Sequence, residues 1–127
     1  MKKHKVSWSK KAMLSLIFFL IFNQATAAQE KIPYKITAYC SCPKCCGKYS
    51  DGRFASNKPV YLGGVACNWL DFGTKILING DPYVIEDRGA KSLFGDRDNK
   101  IRHLDVYMAK HEDARLFGIK WLDVEIL

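Results

Sequence analysis

Apolar residues recur at every second position in short runs along most of this chain, and turn-forming residues separate the runs. Tyr34, Ile36 and Ala38 alternate with Lys35 and Thr37, which predicts a strand over Tyr34–Cys40. The stretch Val60–Cys67 carries Gly63-Gly64 and reads as a strand with a bend or bulge. Gly73–Ile78 and Pro82–Asp87 flank Asn79-Gly80, a strong signal for a tight hairpin. Arg102–Met108 predicts a fifth strand. In the sixth, Lys120–Leu127, Trp121, Asp123, Glu125 and Leu127 alternate with Leu122, Val124 and Ile126. Glu112–Phe117, closed by Gly118, predicts one short helix. Short strands with a single helix define an all-β domain, a barrel or sandwich, and exclude a parallel α/β sheet.

The first residues break this pattern. Lys2, Lys3, Lys5, Lys10 and Lys11 precede an apolar run from Met13 to Phe22, and Ala25-Thr26-Ala27 follows. That order is a secretory signal peptide over residues 1–27, with a run far shorter than the roughly 20 residues of a membrane span. The expected mature domain is residues 28–127, exported and not inserted in a membrane. Five of the 20 Lys+Arg but none of the 13 Asp+Glu fall in the leader, so the remainder carries only +2. With no basic stripe, a nucleic-acid partner is not expected. The remaining length suits one domain, expected to be monomeric.

Cys40, Cys42, Cys45 and Cys46 crowd into C-S-C-P-K-C-C-G, with Cys67 farther on. In an exported chain such a cluster reads first as disulfides pinning a loop, although an odd count leaves a thiol over. A metal site is the rival: Cys42-x-x-Cys45 has zinc-type spacing, with Cys40 and Cys67 as the other two ligands. A redox role for Cys42-Pro43-Lys44-Cys45 lacks the surrounding βαβ pattern. No cofactor is called for.

Two carboxylates stand where strands disfavour them. Asp87 ends the Pro82–Asp87 run just before Gly89, and Asp105 interrupts His103-Leu104-Asp105-Val106-Tyr107-Met108. A period of two puts Leu104, Val106 and Met108 on one face and His103, Asp105 and Tyr107 on the other. Carboxylates held on a rigid sheet suit acid/base work on a glycosidic bond, and solvated surface acids are the plain alternative.

Taken in order, Ile36-Thr37-Ala38-Tyr39, Ala55-Ser56, Gly64-Val65-Ala66, Phe72-Gly73-Thr74-Lys75, Glu86-Asp87-Arg88-Gly89-Ala90, Leu104-Asp105-Val106-Tyr107, and Ala114 with Phe117-Gly118 resemble one family. It is the three-aspartate (3D) domain of bacterial wall-remodelling proteins, related to the C-terminal domain of the membrane-bound lytic transglycosylase A family. The resemblance implies a six-stranded double-psi β-barrel that holds a peptidoglycan glycan strand. It also implies an exported lytic transglycosylase that cleaves between N-acetylmuramic acid and N-acetylglucosamine and leaves a 1,6-anhydro end. Asp105 matches the acid/base of the related enzymes, and Asp87 matches a second aspartate.

Asn68 stands where the family's first aspartate is usual, and Asp71 is nearby. A longer charged segment, Ala90 to Arg102, replaces the usual link between the other two aspartates. Further substrate contacts are expected from Asn68, Trp69, Lys58 and Tyr107, with Tyr39 as another stacking platform, His103 tuning Asp105 and Arg88 pairing with Asp87. A non-catalytic, expansin-like wall-binding module is the alternative reading, and a cysteine-based metal or redox protein is a second.

Overall fold

A computed structural model describes residues 32–127; the leader predicted over residues 1–27 lies outside the described residues. Within them the domain is mostly β. Strands β1 (Tyr34–Tyr39), β2 (Gly64–Ala66), β3 (Lys75–Ile78), β4 (Asp81–Asp87), β5 (His103–Tyr107), β6 (Lys120–Leu122) and β7 (Val124–Ile126) form one mixed sheet. The helices are short: α1 (Pro43–Cys46), α2 (Lys91–Phe94) and α3 (His111–Phe117), with a 3-10 turn over Gly47–Tyr49. No helix among the described residues is long and apolar enough to cross a membrane.

The sequence predicts six strands and one helix, and the differences have local causes. Val60–Cys67 yields only Gly64–Ala66 as strand, because Gly63 adopts φ 105 and the Gly64 amide turns back to the Tyr61 carbonyl at 3.2 Å. Two of the three helices are single turns of four residues, too short to give a helical period. The last predicted strand breaks at Asp123, whose carbonyl leaves the ladder to accept from the Asn79 amide at 2.9 Å.

The Asn79-Gly80 turn forms as expected. Both residues have positive φ, 50 and 90, the geometry that matches the twist of a two-residue hairpin, and they join Ile78 to its partner Asp81.

The strand order is β6-β1-β5-β2-β4-β3-β7, so its outer positions belong to the two halves of one continuous segment. Ile36, Val65, Ile76, Ile85 and Leu104 are wholly buried beneath the sheet, with Cys67 among them. Removing an aliphatic side chain of this size from water contributes about 1.5–3 kcal/mol, so these strands hold the sheet's centre rigid. That centre, β5-β2-β4, carries both strand aspartates. Ala66 is the register partner of Asp105 on one side and of Asp87 on the other. A bulge at Val65/Ala66 produces the second pairing, because it moves the register by one residue past Glu86. Bulges re-aim side chains in this way. Here Asp87 meets the cleft, while Glu86 is buried against Lys58 and Tyr61.

Candidate active site

Asp87 and Asp105 line a single open cleft of about 750 Å³, with Tyr39, Ala66, Arg88 and Phe94 among its other walls. Two strand spacings separate the aspartate backbones, about 10 Å, with only the Ala66 methyl on the strand between them. The floor is therefore low between two acids.

The two carboxylates are held differently. One Asp87 oxygen accepts from the Tyr39 hydroxyl, and the other accepts from the amides of Ala55 at 2.8 Å and Arg88 at 2.9 Å. Burial and the neighbouring Asp87 hold the Tyr39 phenol well above its usual range, so it remains a donor. Asp105 has a single donor, the Thr37 hydroxyl at 2.8 Å. Burial pushes its carboxyl up to about 6; the Thr37 hydrogen bond opposes this, and the Asp87 charge adds to it. A carboxyl fixed by three protein donors thus faces one that burial pushes toward neutral pH, and unlike environments of this kind can separate the roles of two acids.

Thr37 also links Asp105 to His103. Its Oγ1 lies 2.9 Å from His103 Nε2, and His103 Nδ1 lies 3.2 Å from the Leu93 carbonyl. A carbonyl only accepts, so Nδ1 carries a proton. Burial holds the imidazole below its ordinary value and favours the neutral ring, which stacks on Phe94 at 4.2 Å. Nε2 of a neutral ring is then an acceptor.

Asn68, Trp69, Lys58, Tyr107 and Asp71, also singled out from the sequence, lie away from the cleft wall, whereas Arg88 is part of it. Asn68 donates to the carbonyls of Gly89 at 2.9 Å and Gly95 at 2.8 Å and accepts from the Gly89 amide at 2.8 Å. Both its donors are spent on backbone, and it clamps the turn after Asp87. Trp69 donates to the Ile101 carbonyl at 3.0 Å and stacks on Tyr34 over the core. Lys58 pairs with buried Glu86 at 2.6 Å. Tyr107 is buried, edge-on to Tyr39 and Phe54. Asp71 is exposed and paired with Arg97. The Arg88 guanidinium turns to the Cys67 carbonyl and covers the Phe72 ring at 3.9 Å, so the expected ion pair with the Asp87 carboxylate gives way to a cation–π contact.

The cysteines also depart from expectation. All five are free thiols, so no disulfide pins the loop. Cys67 sits in the core, which removes it from any ligand set with Cys40. Cys40, Cys42 and Cys45 instead converge with His111, the first residue of α3, their ligand atoms all within 4.8 Å of one another.

Thr37, Ala66 and His111 carry no signal of their own in the sequence. Apart from the Ile36–Tyr39 motif that contains it, Thr37 is only a polar position on β1, and its partner Asp105 is 68 residues away. No protein-family model matches the chain, and no curated protein matches it.

Proposed function

We propose that this domain is a 3D-type lytic transglycosylase, exported and monomeric, that cuts the glycan strands of peptidoglycan between N-acetylmuramic acid and N-acetylglucosamine. The observation that carries the reading is Asp105, a carboxyl raised to about 6 in the wall of an open cleft, with a second carboxyl, Asp87, held by three donors across Ala66 in the same cleft. The double-psi barrel belongs to the same proposal. Its support is that β6 and β7, separated by Asp123 alone, occupy both ends of the strand order, as when a sheet rolls onto itself. The parallel pairings β1–β5 and β2–β4 also fit it.

In this reading protonated Asp105 gives its proton to the glycosidic oxygen as the C1–O bond breaks. The resulting carboxylate then takes the proton of the muramic acid C6 hydroxyl, whose oxygen closes onto C1. The proton count balances with no water consumed, and the internal nucleophile needs orientation more than activation. Asp87, held by three donors, places negative charge near the developing oxocarbenium ion.

Thr37 has one hydrogen to give. With Asp105 protonated, the acid donates to Thr37 and Thr37 donates to the neutral His103 Nε2, so every group is satisfied. With Asp105 ionised, Thr37 turns to the carboxylate and the imidazole loses its donor. His103 is thus a positioning residue that competes with the Asp105 carboxylate for the Thr37 hydrogen and so weakens, without reversing, the lowering that Thr37 exerts on that carboxyl.

Mass spectrometry of soluble products after incubation with peptidoglycan tests the function. Anhydro-muropeptides from the wild type and none from Asp105→Asn are expected. Reducing ends would indicate a hydrolase, and wall binding without product would favour the expansin-like module.

A further inference from the structure

We propose that Cys40, Cys42, Cys45 and His111 bind a zinc ion that staples the turn after β1 to the start of α3. Three sulfurs and one imidazole nitrogen converge on one point, with each thiol paired to His111 Nδ1 at 3.4 to 3.7 Å. A tetrahedral zinc with bonds of about 2.3 Å to sulfur and 2.0 Å to nitrogen requires sulfur-to-nitrogen edges of about 3.5 Å and sulfur-to-sulfur edges of about 3.8 Å. The Cys40–Cys45 edge is 3.5 Å and the Cys40–Cys42 edge is 3.0 Å, so seating the ion requires a small spreading of one pair.

The local chain geometry brings these ligands together. Cys40 is 2% exposed and points inward from the end of β1. Pro43 opens α1, and the Cys45 and Cys46 amides fold back onto the Cys42 carbonyl at 3.1 and 2.9 Å, which places Cys42 and Cys45 on one side of a tight turn. α3 packs on β1 and delivers His111 from 66 residues away.

The imidazole is what separates this arrangement from disulfides, which have no use for a histidine pointed at three sulfurs. Cys46 is excluded from the set, because its thiol donates to the Cys40 carbonyl at 3.2 Å. Four protein ligands close the coordination sphere and leave no position for water, the mark of a structural and not a catalytic zinc. Each ligand thiol gives up its proton as the ion enters. Ser41, Cys45 and Cys46 line the cleft, so the ion also fixes one of its walls. The proposal does not depend on what the cleft cuts.

The test is metal content of the purified full chain after dialysis against metal-free buffer, then reloading with zinc or cobalt. About one ion per chain is expected, with X-ray absorption giving three sulfurs and one nitrogen as neighbours. Cys45→Ser and His111→Ala are expected to weaken binding by at least about tenfold, while Cys46→Ser and Cys67→Ser keep it. If the ligand variants fail to fold, the coordination of the wild type decides alone. A wild type that takes up no ion, or whose intact mass after alkylation shows a disulfide within Cys40–Cys46, would overturn the site, as would full binding by His111→Ala.

Discussion

Replacing Asp105 with asparagine is expected to stabilise the domain as it removes the proton donor. Burial raises this carboxyl from 3.8 to about 6, the Thr37 hydrogen bond resisting and the Asp87 charge assisting. The folded state therefore binds the Asp105 proton more tightly than the unfolded chain does. Folding gains nothing and loses nothing from this group below the unfolded value; the cost appears as pH rises and is complete above the folded one. At about 1.4 kcal/mol for each pKa unit, the full cost is about 3 kcal/mol. Solvent in the open cleft screens part of it, so a gain of about 1–2 kcal/mol is expected near pH 7.5. Asparagine is nearly the same size, keeps an oxygen for the Thr37 hydroxyl, and has no charge to oppose Asp87. Urea unfolding followed by tryptophan fluorescence, at about pH 3 and about pH 7.5, reads the difference directly. The variant should match the wild type at the acid pH and exceed it at the neutral one. A variant less stable than wild type at pH 7.5, or equally stabilised at both, would refute the burial argument.

Thr37→Val removes the bond that lowers Asp105, so the acid should titrate higher and the alkaline limb of the kcat/KM profile, expected near pH 6 in wild type, should move to higher pH; an unmoved limb would take Thr37 out of the network. Asn68→Asp, which places the acid that the proposed 3D-type reading would expect at this position, should destabilise the chain by about 2 kcal/mol with no gain in activity, because a carboxylate would face the Gly89 and Gly95 carbonyls that the amide now serves. Thermal unfolding and product assays on the same preparation check both halves. Lys58→Met should cost about 2–3 kcal/mol by stranding the buried Glu86, whose carboxyl Lys58 and Tyr61 hold below its usual value against burial. The paired variant Lys58→Met with Glu86→Gln should recover most of that loss, and failure to recover it would show that packing of the lysine stem is what matters.

What was legible in the sequence is what short range decides. Alternation located the strands, and Asn79-Gly80 located the hairpin, because side-chain period and left-handed backbone are properties of a few neighbouring residues. Asp87 and Asp105 were conspicuous because a strand rarely accepts them. Their meeting across Ala66 depends on a one-residue bulge, and no local pattern announces a register shift between strands that are distant in sequence. Asn68 read as a sugar contact because its amide partners, 21 and 27 residues on, are backbone atoms that sequence does not display. Residue type alone groups Cys67 with the cluster, whereas its period on β2 and beyond sends it into the core. His111 is silent in the sequence for the converse reason: it opens a helix far from the cysteines along the chain and meets them only after α3 docks.

The segment from Lys120 to Ile126 pairs with β1 through its first half and with β3 through its second, and it is synthesised after every strand it joins. Until it arrives, both margins of the sheet present bare amides and carbonyls to whatever is nearby. The nascent domain therefore stays incomplete until this segment emerges. Its vulnerability is a premature stop just beyond α3, which would release a sticky two-edged sheet.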